Sequence, residues 1–479
     1  MRRRSRLAPA VVALLCVFTL AAGATVARLL PRRLALWVPP GIAASRLSGS
    51  TQVLGPAGPA SPSAGATAAG VTRAISPVIS ASVFGRQLGV LVTNLASGQV
   101  LYASNAAAGF TPASTTKLAT SIAAIHALGP NARFTTTVVA GAGASSIVLV
   151  GGGDPTLAAG PPPAADYPPP ATLSTLAKST ASALKARGRH SVQLGYDTSL
   201  YYGAPFAPGW PTGATNYVTT GNVSAITALS VDQGRVTASG APADTEVSNG
   251  LRAADPAAVA ATAFAGFLSA DGIRVTGGPS QVIARRGART LASIKSPPLT
   301  QIVQWMLEES NNVIAENLAR HVAIATGRPP TFAGGAAAVT AVVRNLGVSG
   351  VLSLDDSSGL SPLNQISPTT LVQLVRIAAA RPALRPVLTG LPVEGFSGTL
   401  AQGGSVFGLG TGTGFGVVRA KTGNLSTAAA LAGTAYAKNG QVLGFAIMAD
   451  QIPNAPGALG AAATAMVNVA GALAGCGCR

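Results

Sequence analysis

The chain has 479 residues, 48% of them hydrophobic and only 10% charged, with a formal net charge of +18. That is too apolar for a disordered chain and too poor in charge for a coiled coil, and the length accommodates two to three domains. Three cysteines and three scattered histidines, with no HExxH, provide neither a disulfide scaffold nor clustered zinc ligands, so zinc-peptidase chemistry has no basis here.

The positive charge is uneven. Residues 1–33 hold seven arginines and no acid, which leaves 26 bases against 15 acids in the remainder. Arg2-Arg3-Arg4-Ser5-Arg6 precedes an uncharged run, Leu7 to Ala27, and Ala22-Gly23-Ala24 offers small residues for cleavage. Residues 1–30 read as a signal peptide or a retained membrane anchor; the run is long for the first and near the ~20 residues of the second. Either places the rest of the chain in the extracytoplasmic envelope, with membrane contact through this segment only. Cys16 lies in the apolar run without a lipobox-like context. Residues 31–78, rich in Ala, Gly, Ser and Pro, are expected to be a flexible linker.

Globular structure is expected from about residue 79. Gly89–Thr93 and Val100–Tyr102 flank a Ser97-Gly98 turn, a hairpin pattern. Pro112 introduces a helix from Ser114 to Leu128, with Leu118, Ile122 and Ile125 on one stripe. Residues 141–289 alternate short β-prone pieces with Gly/Pro-rich turns and read as an inserted β-rich domain, with one helix capped by Asp255 and entered through Pro256. Helical periodicity returns at 299–307, 313–322 and 369–380. Leu431–Tyr436 and Val442–Met448 flank an Asn-Gly turn, and an Ala-rich helix occupies 457–474. The fold class is therefore α/β and multidomain. One domain (79–140 and 290–475, an antiparallel sheet with flanking helices) is interrupted by the insertion.

Ser114-Thr115-Thr116-Lys117 is a Ser-x-x-Lys. On a helix, residues i and i+3 share a face, so a lysine of lowered pKa can take the serine proton. Alone the motif is also a capped helix start, and Ser182-Ala183-Leu184-Lys185 repeats it in a stretch read as a solvated helix face. Ser310-Asn311-Asn312, between two helical segments, is a helix break or a Ser-x-Asn whose hydroxyl relays a proton and whose amide holds a lysine. Lys421-Thr422-Gly423 follows a β-prone run; it is an edge-strand gatekeeper or a carboxylate-binding strand that substrate can approach closely.

In this order and in these contexts the three motifs resemble those of the penicillin-recognising serine DD-peptidases. Lys117 and Ser310 stand 193 residues apart. That interval is similar to the D-alanyl-D-alanine carboxypeptidase family of penicillin-binding protein 4 (peptidase family S13) and not to class A β-lactamases, where it is several tens of residues. Gly151–Leu157, Ala207–Pro211, Ser358–Ser361 and the run from Ser296 through Glu316 are similar to that family as well.

The resemblance implies a serine-type D-Ala-D-Ala carboxypeptidase, with endopeptidase activity left open, acting on peptidoglycan stem peptides and acylated by β-lactam antibiotics. It implies no cofactor and no metal, and the export signal argues against a nucleic-acid partner. The resemblance assigns Ser114 as nucleophile, Lys117 as base, and Ser310 and Asn312 to proton transfer and positioning. Lys421 and Thr422 would hold the terminal carboxylate beside Gly423, and the backbone N–H groups of Ser114 and Asn424 would form the oxyanion hole. Three departures stand out: Asn311 where Asp is common, Asn424 where Ser or Thr is common, and Pro362 where relatives carry an arginine that helps read the diamino-acid side chain. A β-lactamase or esterase, and a scaffold with a decayed site, are the competing readings. Cys476 and Cys478 are expected in a frayed, inert tail.

Overall fold

The computed structural model describes residues 65–80, 82–161, 167–212, 216–242, 250–401 and 406–478. The export segment and most of the expected linker lie outside these residues. From residue 68, however, the linker expectation is corrected: Ala68–Ile79 is a helix, α1, whose N-cap Thr67 accepts a hydrogen bond from Gly70 N. Gly70, Val71 and Ile75 are buried. An Ala/Gly-rich composition hid a helix whose small residues let it sit close to its neighbours.

The expected first hairpin is β1 (Gln87–Asn94) with β2 (Val100–Ser104). A short 3-10 turn, Ala113–Thr116, leads into α2 (Lys117–Leu128), so the α-helix begins three residues later than the sequence pattern indicates. The chain continues through β3 (Thr135–Ala140), β4 (Ser146–Val150), α3 (Leu173–Lys185), β5 (Ser191–Asp197) and α4 (Pro256–Ala270). It then forms β6 (Arg274–Val275), β7 (Ser280–Gln281) and β8 (Thr290–Lys295). Asp255 caps α4 by accepting from the amides of Ala257 and Ala258.

Next come α5 (Leu299–Glu308), α6 (Asn312–Ala325) and α7 (Phe332–Asn345), the short pair β9 (Leu352–Ser353) and β10 (Gln365–Ile366), and α8 (Pro368–Ala380) with α9 (Arg385–Thr389). Three strands and a helix end the chain: β11 (Val418–Leu425), β12 (Ala428–Tyr436), β13 (Val442–Asp450) and α10 (Ala458–Gly475).

The sheet that carries the site is antiparallel and five-stranded, in the order β11-β12-β13-β1-β2. The first hairpin is thus stitched to the last three strands, Gln87 opposite Asp450. Successive strand residues point to opposite faces, so each strand supplies two cores. Leu91, Ala430, Ala432, Ala446 and Met448 pack with α2, α5, α6, α7 and α8. Val90, Val92, Leu431, Phe445 and Ile447 pack with α1 and α10. Helix α2 lies deep in the first core: every residue from Lys117 to Ile125 is buried.

The inserted segment forms a second, mixed sheet, β6-β5-β4-β3-β8 with β7 beside β5. It takes in β3 and β8, so it starts before residue 141 and runs past 289. It is also less purely β than its turn-rich sequence indicates, because α3 and α4 pack on the sheet through Leu173, Leu176, Leu184, Phe264 and Leu268. The second Ser-x-x-Lys is on α3 with Ser182 and Lys185 both exposed, a solvated face as expected. At the other end of the chain Cys476 and Cys478 are joined in a disulfide. Thr67 N donates to Cys478 O at 2.7 Å, and the Cys478 residue is buried, so this tail is docked rather than frayed.

Candidate active site

The turn that carries Ser114 is built by local hydrogen bonds. Thr115 Oγ1 donates to Pro112 O at 2.7 Å and Thr116 Oγ1 to Ala113 O at 2.8 Å. Ala113, fully buried, has φ 45°, a left-handed conformation that a non-glycine residue holds only when its surroundings impose it. Two glycines lie close against it. A Cβ on Gly423 would lie 2.6 Å from Pro112 O and 3.1 Å from Ser114 N. One on Gly359, itself at φ +88°, would collide with Ala113 O.

Lys117 is fully buried on the first turn of α2. Its Nζ is 2.9 Å from Ser114 Oγ, 2.7 Å from Asn312 Oδ1 and 2.7 Å from Ser358 O. Burial pushes its pKa down to about 7, against the supporting charges of Asp356 and Glu316. A neutral amine has two N–H donors and one lone pair. With Asn312 Oδ1 and Ser358 O taking the donors, the lone pair is left for the Ser114 hydroxyl, which is the geometry of a general base. The Asn312 amide is fixed the right way round because its Nδ2 donates to Asn222 O at 2.9 Å.

Ser358 O is itself held from behind. Gly359 N, in the same peptide unit, donates to Asp356 Oδ1 at 2.8 Å. Asp356 Oδ2 accepts from Ser361 N (2.6 Å) and from Trp210 Nε1 (2.8 Å), a residue of the inserted segment. Glu316, fully buried on α6, accepts from Ser357 N (2.9 Å) and Ser358 N (2.7 Å) through Oε1. Burial and Asp356 push Glu316 up to about 7, opposed by Arg320 and by these hydrogen bonds.

Ser310 occupies the break between α5 and α6 at φ 57°. It ends α5 in the left-handed position where glycine is usual. Asn311 N closes the turn onto Met306 O at 3.0 Å, and Asn311 Oδ1 caps α6 at Ile314 N. The three hydrogen bonds of Lys117 go elsewhere, so the fold brings Ser310 to the site beside Asn312 without joining it to the lysine.

Lys421, Thr422, Gly423 and Asn424 lie on β11, the edge of the five-stranded sheet. Lys421 is fully buried, and Nζ donates to Thr422 O at 3.1 Å. Desolvation and the neighbouring Lys117 push its pKa well down, while Glu309 opposes them. The Thr422 hydroxyl shares a 2.7 Å hydrogen bond with that of Thr399. On the open edge, Glu394 N donates to Val418 O and Ala420 N to Pro392 O. By the two-residue period of a strand, the N–H of Asn424 faces that same edge.

Of the expected residues, Ser114, Lys117, Asn312, Lys421 and Gly423 thus converge. The residues that motif reading did not assign are Asn222, Glu316, Asp356, Gly359 and Thr399. Glu316 and Gly359 fall inside the stretches that carried the resemblance, but nothing in those stretches gave them a role.

Residues 73–248 and 239–473 match the D-Ala-D-Ala carboxypeptidase 3 (S13) family. The carboxypeptidase DacB of Mycolicibacterium smegmatis is 35% identical over 426 residues, 85% of each chain. The chain belongs to the S13 family. A carboxypeptidase of Mycobacterium tuberculosis is likewise 35% identical over 407 residues, 83% of this chain and 84% of its own. Among solved structures, penicillin binding protein 4 of Haemophilus influenzae has the same fold, with a TM-score of 0.65 at 21% identity over 83% of this chain and 97% of that one. As an S13 member the chain is a serine-type D-Ala-D-Ala carboxypeptidase with a multidomain α/β fold, and action on peptidoglycan places its work outside the cytoplasm.

Proposed function

We propose that Ser114 is the acylated nucleophile and that the enzyme trims peptidoglycan stem peptides. The observation that carries this reading is the 2.9 Å contact between Ser114 Oγ and a buried Lys117 whose pKa lies at about 7. Ser114 Oγ attacks the carbonyl between two D-alanines as its proton passes to Lys117 Nζ. The oxyanion is met by the N–H groups of Ser114 and Asn424. The C–N bond breaks, the leaving amine takes the proton held by Lys117, with Ser310 beside Asn312 assisting the transfer, and D-alanine departs. Water then attacks the ester, Lys117 accepts its proton, and Ser114 is regenerated. Asn312 holds Lys117, and Lys421 with Thr422 receives the terminal carboxylate. A cross-linked peptide whose leaving group is an amine bearing a D-centre carboxylate fits the same steps, so endopeptidase activity rests on the same residues.

The transpeptidase-like domain is formed by the segments before and after the insertion. Residues 1–30 export the chain or anchor it, which cell fractionation with and without that segment tests. The experiment for the site is the intact mass of the protein after brief exposure to benzylpenicillin, beside Ser114→Ala, with D-alanine release measured on a pentapeptide. A stable adduct of one drug mass, absent from the variant, supports the assignment. Equal adducts on both proteins would remove Ser114 from the mechanism, and rapid drug hydrolysis without an adduct would make the enzyme a β-lactamase.

A further inference from the structure

Helix α6 serves the site at its first residue, Asn312. Eight residues on, about 12 Å along the axis, it presents Arg320 to a separate cavity of about 400 Å³. Tyr196, Tyr201, Tyr202, Phe206 and Asp255 line that cavity with it. Arg320 is 1% exposed, and its Nη1 has no hydrogen-bond partner among the described residues. Its guanidinium carbon lies 3.9 Å from the centroid of the Phe332 ring. Glu316, one turn earlier, is the opposite charge acting on Arg320, but it commits Oε1 to the Ser357 and Ser358 amides, and its Oε2, like Nη1, makes no hydrogen bond among the described residues. A buried guanidinium N–H without an acceptor is costly, and an arriving carboxylate supplies one.

The mouth has a different chemistry. Tyr202 is 57% and Phe206 42% exposed, broad apolar faces suited to a sugar ring or an alkyl chain. Asp255 provides an opposite charge for an amide or ammonium donor on the same ligand. Arg320 is the one basic side chain among the lining residues. The volume is at the lower end for ligand pockets and exceeds what a single amino acid fills.

We propose that this cavity is a second binding site, for a carboxylate-bearing glycopeptide segment of the cell wall, with Arg320 as its anion receptor. The choice of occupant rests on the cell-wall reading given above. The site is separate from the Ser114 cleft: it is walled by the insertion and by the far end of α6.

The test uses the whole protein with Ser114 first acylated by benzylpenicillin, so that the cleft is occupied. N-acetylmuramyl-L-alanyl-D-isoglutamine, which has one free carboxylate, and its amide are then titrated by calorimetry and by saturation-transfer NMR. The expected result is saturable 1:1 binding of the acid, about tenfold or more tighter than the amide, the weight of one charge-assisted hydrogen bond. Thr227→Trp, which fills the cavity, should abolish binding, and Tyr202→Ala at the rim should weaken it severalfold, both without altering acylation by penicillin. Arg320→Gln should make acid and amide equal, with circular dichroism checking the fold. No binding up to about 10 mM, equal binding of acid and amide to the unsubstituted protein, or binding that survives Thr227→Trp would overturn the proposal. If the drug fails to acylate Ser114, the catalytic assignment falls on its own, and the same titration is read on the unacylated protein.

Discussion

Two lysines, both fully buried and both with lowered pKa, meet at this site from opposite kinds of structure. Lys117 sits on a helix turn with three fixed polar partners around Nζ and two buried carboxylates nearby. Lys421 sits on an edge strand, donates to one backbone carbonyl, and has another lysine as neighbour with Glu309 as the opposing charge. Burial alone would make the two alike. What separates them is compensation: the charge on Lys117 is answered within the protein, so it can cycle between protonated and neutral forms near neutral pH. The charge on Lys421 is answered poorly, so an incoming carboxylate gains most there. That contrast supports the proposed roles, Lys117 as base and Lys421 as receptor.

The strongest way to break this contrast is to remove each amine in turn. Lys117→Ala should cut acylation by penicillin and peptide turnover about 10³–10⁴-fold, the scale of losing a general base. Lys421→Ala should cost about 10–100-fold in kcat/KM on substrates with a free terminal carboxylate, and far less on carboxamide-terminated ones. Similar losses on both substrates would contradict the receptor role. The turn that joins the two is next. Gly423→Ala should slow acylation about tenfold or more by displacing Pro112 and Ser114 while leaving β11 paired; thermal melting separates this from unfolding.

The pH profile sharpens the comparison further. The acylation rate should rise with pH through about 7 if, as proposed, neutral Lys117 is the base. Lys421→Ala should leave that rise in place, since it tests a different group. The smallest effect is expected from Glu316→Gln. Glu316 raises the Lys117 pKa, so its neutralisation should move the midpoint downward. An upward shift, or none with the fold intact, would show that Glu316 acts only by shaping the loop.

The parts of the site that were legible in the sequence are those in which one short segment holds both partners. Ser114 and Lys117 are three apart on a turn, Ser310 and Asn312 flank a helix break, and Lys421 to Asn424 run along one strand. Local geometry dictates such spacings. The cradle of Lys117 was not legible. Asn222, Ser358, Asp356 and Glu316 come from the insertion, a loop and a helix that only packing brings together. The same division holds for the fold. Hairpins and strongly periodic helices could be read, whereas α1 and α7, rich in alanine and glycine, lack the contrast of large apolar and polar residues on which periodicity depends.

By itself, then, the sequence determined the order and local form of the three motifs and the α/β character, because these follow from steric and hydrogen-bonding rules acting over a few residues. Tertiary structure decided what the amines do. A pKa lowered to about 7 at Lys117, its anchoring to Asn312 Oδ1 and Ser358 O, and the strained Ala113 packed against Gly359 and Gly423 all arise from desolvation and close contact between segments far apart in the chain. Desolvation depends on what surrounds a group in space, and no spacing along a chain encodes it.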